Sequence, residues 1–162
     1  MSVDTLSMTD KHRHCDSEQC RQIAQTCIGV NLRKASRAVT QLYEEVMRPC
    51  GLLPTQFSLL VATRRLGPVS ISSLAEALVM DRTTLTRNLK PLERDGFLVV
   101  TPGKDDQRSR EVTLTTKGLD QLERALPLWK KAQQRMTQEL GADRLSQLLG
   151  NLAATVNIAG EK

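Results

Sequence analysis

The chain has 162 residues, 40% of them hydrophobic, and carries a net charge of +5 with a pI near 9.3. This length suits one domain with helical extensions, and no apolar run is long enough for a membrane span. The N-terminus lacks the apolar middle of a signal peptide, so we expect a cytoplasmic protein whose cysteines are mainly reduced. The net positive charge is compatible with an anionic partner, but only the distribution of the charged residues can indicate whether such a partner is bound.

The first half of the chain has the hydrophobic spacing of helices. Residues 1–17 are polar and aperiodic, and a mobile tail is expected there. From about 18 to 47, apolar residues recur at three- and four-residue steps, which predicts one long helix that ends at the prolines and glycine of 48–56. Shorter helices are predicted over 55–66 and 70–80, and the second of these opens with serines that can cap it.

Beyond residue 96 the pattern changes from helix to strand and back to helix. The runs FLVVT and REVTLT indicate two short strands joined by the polar tip PGKDDQRS, which together predict a β-hairpin. A long helix follows, in which Pro127 should cause a kink or start a new segment. Gly141 should end this helix, and Asp143 can cap a last one. The predicted fold is mainly α with a small β-hairpin wing.

The stretch MDRTTLTRNLKPLERDG, residues 80–96, forms a fourth predicted helix with Asp81 as its cap. Leucines at 85, 89 and 92 fall on one narrow face, which should be buried. The other side is polar and basic, and hydroxyls and arginines there can bond to base edges or phosphates. A solvated helix face looks the same, so this stripe alone leaves both readings open. The candidate DNA contacts on this helix are Thr83, Thr84, Thr86, Arg87, Lys90 and Arg94.

Pro91 lies inside this helix but off its leucine stripe. A proline has no N–H to bond to the carbonyl of Arg87, so we expect the helix to bend near 87–91 while its buried face is kept. A proline that is tolerated without any role is the alternative.

The hairpin that follows favours DNA binding over a merely solvated face. Its tip carries Lys104, Arg108 and Arg110, with Asp105 and Asp106 between them. A short helix, a tight turn and a second helix have the layout of a helix-turn-helix. A basic hairpin directly after it makes a winged helix, whose helix enters the major groove. Its wing reaches the minor groove, where the negative potential attracts arginine.

Residues 74–118 resemble the core of the MarR family of bacterial transcription regulators, and the resemblance extends over about 20–158. Its most specific part is Asp106-x-Arg108 followed by the segment L-T-T-K-G at 114–118. The resemblance implies that Arg108 enters the minor groove at the wing tip and that Asp106 steadies the wing. It also implies that the threonines, Arg87 and Lys90 lie on the major-groove helix. Pro91 departs from the commonest family pattern.

The resemblance further implies a homodimer joined through its terminal helices, bound to a palindromic double-stranded DNA operator. The sequence itself also favours a homodimer, because the first and last helices carry more Leu and Val than one small winged helix can cover. The predicted organisation is a tail at 1–17, a helical dimerisation region at 18–50 and 120–160, and a winged helix-turn-helix lobe at 52–118. We expect a transcription regulator that acts as a repressor and is released from DNA by a small molecule or a thiol-reactive agent. No cofactor is expected, and no nucleophile-and-base motif or phosphate-binding loop suggests an enzyme.

The cysteines and histidines all lie within residues 12–50, and the thiols are Cys15, Cys20, Cys27 and Cys50. Cys20 and Cys27 are seven residues apart, hence on one face of the expected first helix if that helix begins early enough. Three readings stay open: buried structural cysteines, a thiol switch, or a soft-metal or metalloid site without ordinary zinc spacing. A small aromatic effector bound between the dimer helices and the DNA-binding lobe is the family's usual alternative. The rival to a DNA-binding regulator is a thiol- or metalloid-binding protein-interaction module.

Overall fold

The computed structural model describes residues 16–103 and 108–160. The chain divides into two compact units, one ending at Gln41 and the other beginning at Leu42. Helices predominate, and the only sheet among the described residues is small and antiparallel, which confirms the expected mainly α fold with a hairpin. Within these described ranges, no helix is both long and apolar enough to cross a membrane.

The N-terminal unit holds helix α1, Ser17–Thr26, and the first part of α2, Ile28–Met47. The expectation of one continuous helix is wrong at Cys27, whose ψ of 114° interrupts the helical path. The side-chain amide of Asn31 donates hydrogen bonds to the carbonyls of Ala24 and Cys27, at 3.2 and 2.9 Å. The Cys27 carbonyl also accepts a hydrogen bond from the Asn31 backbone amide at 3.1 Å, so Asn31 connects the end of α1 and the residue at the break to the first turn of α2.

The tail expected at residues 1–17 lies outside the described residues except for its last two. Of these, Asp16 caps α1 by accepting a hydrogen bond from the amide of Glu18 at 3.2 Å, and Ser17 is the first residue of the helix. The helix therefore begins inside the expected tail.

The second unit contains the remaining elements, which a short 3-10 turn at Arg48–Cys50 connects to the end of α2. In chain order these elements are α3 (Pro54–Leu66), β1 (Val69–Ser70), α4 (Ile71–Ala77), α5 (Arg82–Arg94), β2 (Leu98–Pro102), β3 (Arg110–Leu114), α6 (Thr116–Leu140) and α7 (Ala142–Gly160). The sheet has the order β1-β3-β2, and Val112 at its centre pairs with Val69 on one side and Val100 on the other.

Four details of the second unit differ from the sequence prediction. Helix α4 ends at Ala77 rather than 80, and the two-residue strand β1 was not predicted. Helix α6 runs without interruption through Pro127, so the start of a new segment there is wrong. Asp143 lies in the first turn of α7 and does not precede it as a cap. Gly141 ends α6 as predicted, with a φ of 81°.

The hydrophobic core lies between the short helices, the sheet and the start of α6. Leucines and valines fill it because the chain has few aromatic residues, and helix α5 contributes Leu85, Leu89 and Leu92, all within 2% of full burial. Leu98 and Val112 seal the core from the sheet side. Since α5 turns its whole leucine stripe inward, its polar side is left facing outward.

Candidate nucleic-acid interface

Helix α5 begins at a well-formed cap. The carboxylate of Asp81 accepts a hydrogen bond from the amide of Thr84 at 2.8 Å, which satisfies one of the free N–H groups at the helix start. Bonds from the Thr84 side chain and then from its amide hold the pKa of Asp81 below its ordinary value of 3.8. Asp81 is therefore a carboxylate at neutral pH, at the helix end where a negative charge is favourable.

The outward side of α5 carries the polar residues that the sequence predicted there. Arg87 and Lys90 are exposed, and Thr83 and Thr86 are exposed beside them. The Thr86 hydroxyl donates back to the Arg82 carbonyl at 2.7 Å, so it can approach a ligand only as an acceptor. The Arg87 and Lys90 side chains can donate hydrogen bonds to phosphates or base edges. The short threonine side chains beside them leave room for DNA to come close to the helix.

The other two residues predicted on this helix are partly engaged within the protein. Thr84 is half-buried and serves the Asp81 cap. Arg94, in the last turn, makes an ion pair with Asp95 at 3.2 Å. The helix continues through Pro91 to Arg94 as a single element, and the bend expected at 87–91 stays a prediction.

A tight turn sets α5 against α4. Val79 has a φ of 52°, a left-handed conformation that costs a β-branched residue about 1–3 kcal/mol. Its amide bonds to the Glu76 carbonyl at 3.0 Å, and the Met80 amide bonds to the Ala75 carbonyl at 2.8 Å. Asp81 then caps α5, so the helix-turn-helix predicted from the sequence is formed.

The hairpin wing follows α5 directly. Strands β2 and β3 pair from Leu98↔Leu114 to Pro102↔Arg110, and the Gly103 amide bonds to the Ser109 carbonyl at 3.0 Å to close the ladder below the tip. Arg108 and Arg110 are exposed. Lys104 and Asp106, the other predicted wing residues, lie outside the described residues. The support of Arg108 by Asp106 therefore stays a prediction.

A cavity of about 440 Å³ is lined largely by residues of α3, and none of the residues predicted to contact DNA lines it. Phe57 and Trp129 form part of its wall with stacked rings, 6.4 Å between centroids, and Tyr43, Leu78 and Arg65 also line it. The Tyr43 hydroxyl donates a short hydrogen bond to the Gln133 side chain, and burial raises the pKa of Tyr43. Sequence reasoning named no residue of this cavity, because the lining comes from segments far apart in the chain.

Comparison with known proteins links this geometry to a family. A model of the MarR family matches residues 52–110, which span α3 to the start of β3. The M. tuberculosis transcriptional regulator MosR, solved in complex with DNA, is 36% identical, with 82% of this chain and 98% of that chain covered and a TM-score of 0.72. The chain belongs to the MarR family.

Two further similar proteins are covered over nearly the same length. The transcriptional repressor CouR, solved with a 23-mer DNA duplex, is 30% identical, with 83% of this chain and 95% of that chain covered and a TM-score of 0.75. An uncharacterised HTH-type transcriptional regulator of Bacillus cereus is 27% identical, with 83% of this chain and 90% of its own length covered. MarR-family proteins are DNA-binding regulators and not enzymes, so this chain is a DNA-binding transcription regulator with a winged helix-turn-helix.

The cysteines of this MarR-family chain are spread over separate elements. Cys20 is exposed in α1, Cys27 occupies the break after it, and Cys50 in the 3-10 turn donates to the Met47 carbonyl at 3.0 Å. The break means that Cys20 and Cys27 do not share one helix face, which corrects the sequence prediction. Cys15 lies outside the described residues. Among the residues that are described, no three His, Cys, Asp or Glu side chains converge in a group that could hold a metal ion.

Proposed function

We propose that the chain regulates transcription as a homodimer that binds a palindromic operator, with α5 in the major groove and the wing in the minor groove. One observation carries this proposal: α5 buries its leucine stripe completely and presents exposed Arg87, Lys90 and threonines on its opposite side. A helix held on one face by the core and free on the other has the geometry that major-groove reading needs.

Within this proposal the two DNA-binding elements have different tasks. Arg87 reads a guanine edge or grips a phosphate near the middle of α5, and Lys90 contacts the backbone one turn further on. Arg108 and Arg110 give the wing a positive tip suited to the narrow minor groove. Lys104 and Asp106 belong to the same tip in sequence.

The proposed homodimer would cover apolar side chains that each unit leaves exposed. In the N-terminal unit, Ile23 and Ile28 are 51% and 63% exposed. In the second unit, α7 carries a row of exposed apolar residues, among them Leu149 and Ile158 at 53% and 77%. Surfaces of this kind on terminal helices are typical of subunit interfaces. Two copies related by a two-fold axis would bind half-sites about 10–10.5 bp apart.

The effector proposed first is a small aromatic anion that binds in the cavity of about 440 Å³ lined by Tyr43 and Trp129. Stacked Phe57 and Trp129 offer an aromatic wall, and exposed Arg65 at the edge offers a cation for a carboxylate or phenolate. Leu78, which also lines the cavity, stands three residues before the Asp81 cap of α5. A ligand there would push on the turn that holds α5, which supports release from the operator and hence repression.

A thiol-reactive agent is the second proposed effector, because Cys20 is exposed and Cys27 lies at the helix break. Oxidants or trivalent arsenicals would then release the protein from DNA, and a variant with Ser at all four cysteines would bind but not be released. If that variant is released by an oxidant like the parent, the cysteines are structural and the cavity is the better account.

A competition titration tests the DNA-binding proposal. The operator duplex is one that the parent protein selects from a random-sequence library, and the competitor is a scrambled duplex of the same composition. Arg87→Ala should weaken operator binding by about 1–3 kcal/mol and scrambled binding much less. The matched control is Arg124→Ala, which removes the same charge from the exposed side of α6. Equal losses for the two variants on both duplexes would contradict the assignment of α5.

A further inference from the structure

The segment Thr115–Gly118, which consists of the N-cap and the first three residues of α6, contacts the turn at the C-terminal end of α5. Three consecutive carbonyls follow that helix, and each accepts a bond from this segment. Lys117 Nζ donates to the Asp95 carbonyl at 2.7 Å, and the Thr115 hydroxyl donates to the Gly96 carbonyl at 2.7 Å. The Thr115 amide donates to the Phe97 carbonyl at 3.1 Å. The Asp95 carbonyl belongs to the C-cap of α5, and the Gly96 and Phe97 carbonyls belong to the two residues after it. The segment thus supplies hydrogen-bond donors to the turn that ends α5.

The Lys117 charge is favourable at the end of α5, and Gly118 leaves the space that the contact needs. A helix C-terminus carries a partial negative charge, and the Lys117 ammonium lies directly against it. The same ammonium is 5.4 Å from the centre of the Phe97 ring, within reach of a cation–π interaction. Gly118 allows the close approach, because a Cβ there would lie 1.9 Å from the Phe97 carbonyl oxygen.

Thr115 joins two helices with one hydroxyl. Its Oγ1 donates to the Gly96 carbonyl in the turn after α5 and also accepts a hydrogen bond from the Gly118 amide at 3.0 Å, which caps the start of α6. The first turn of α6 and the turn that ends α5 are therefore bonded to the same atom. A shift of α6 relative to α5 would break the cap or the tie.

Helix α5 needs such an attachment because of Pro91. The proline removes the bond to the Arg87 carbonyl, so the last turn of α5 is less firmly connected to the rest of its own helix. We propose that Lys117 and Thr115 are positioning residues for operator reading, which hold the end of α5 against the start of α6. The proposal rests on the assignment of α5 as the major-groove helix. It assigns a function to the L-T-T-K-G segment, which contributes no predicted DNA contact.

The test compares Lys117→Met with Lys117→Arg and with Lys131→Met, an equal charge removal at an exposed position of the same helix. Affinities are measured for the selected operator duplex and the scrambled duplex. The operator affinity of Lys117→Met should be about tenfold lower than that of Lys131→Met, because a charge-assisted hydrogen bond is removed from the end of α5. On scrambled DNA the two variants should match, and Lys117→Arg should restore most of the operator affinity.

Two results would overturn the proposal. If Lys117→Met and Lys131→Met lower the operator affinity equally, the contact does not position α5. If Lys117→Met lowers the affinity for scrambled DNA as much as that for the operator, Lys117 is a phosphate contact instead. Circular dichroism and urea unfolding of each variant establish that the folded protein is being measured.

A double variant separates this proposal from the assignment of α5. If Lys117 acts through the placement of Arg87, the operator loss from Lys117→Met should shrink in an Arg87→Ala background, whereas independent losses multiply. Multiplicative losses would refute positioning through Arg87 while leaving α5 as the DNA-binding helix. An operator affinity that Arg87→Ala leaves unchanged would instead refute the assignment of α5 itself.

Discussion

Thr63 offers a sharp test of the packing beneath the DNA-binding lobe. Its side chain in α3 is 1% exposed, and its hydroxyl has no hydrogen-bond partner among the described residues. Thr63→Val replaces this hydroxyl by a methyl group of similar size, and both residues are β-branched with similar helix propensity. An unsatisfied buried hydroxyl costs about 1–3 kcal/mol, so the free energy of unfolding should rise by about that amount. A cavity of about 100 Å³ beside Thr63 leaves room for the methyl.

Urea unfolding at matched protein concentrations measures this change, since a dimer's stability depends on concentration. The dependence of the unfolding free energy on urea concentration should stay the same while the urea midpoint of unfolding rises. The melting temperature should rise by about 2–4 °C for each kcal/mol of added stability. Thr63→Ser is the control, because it keeps the hydroxyl, removes a methyl and should be less stable than the parent. A Thr63→Val protein that is less stable than the parent would refute the reasoning.

The remaining predictions concern the start of α6, the cap of α5 and the wing. Gly118→Ala should lower the free energy of unfolding by about 3 kcal/mol, because the added Cβ meets the Phe97 carbonyl; an unchanged urea midpoint would contradict this. The depressed pKa of Asp81 stabilises the folded protein above pH 3.8, and this stabilisation is lost as the pH falls through the lower folded pKa. Asp81→Asn caps without titrating, so its stability relative to the parent should rise below pH 3.8, and a pH-independent difference in urea unfolding would count against the cap. Arg108→Ala should weaken operator binding in a folded protein, and an unaltered operator affinity in a gel-shift titration would remove Arg108 from the interface.

The sequence by itself determined the polarity of α5 and the kind of the longer elements, but not the two-residue strand β1 or the break at Cys27. Leu85, Leu89 and Leu92 recur at helical spacing, and that spacing alone placed Arg87 and Lys90 on the opposite side. The strands of the wing followed in the same way from a change of hydrophobic period around a polar tip. These features depend on neighbours within a few residues, so the chain order contains the information needed to predict them.

The tertiary structure alone decided which distant groups meet. The carbonyl of Asp95 receives Lys117 from 22 residues away, and Tyr43 bonds to Gln133 across 90 residues, pairings that no local period encodes. The break at Cys27 was hidden for a related reason. Apolar spacing continues through it, whereas Asn31 stabilises the interruption by bonding to specific carbonyls. Hydrophobic spacing predicts which side of an element is buried, but hydrogen bonds between elements depend on positions that exist only after the chain has folded.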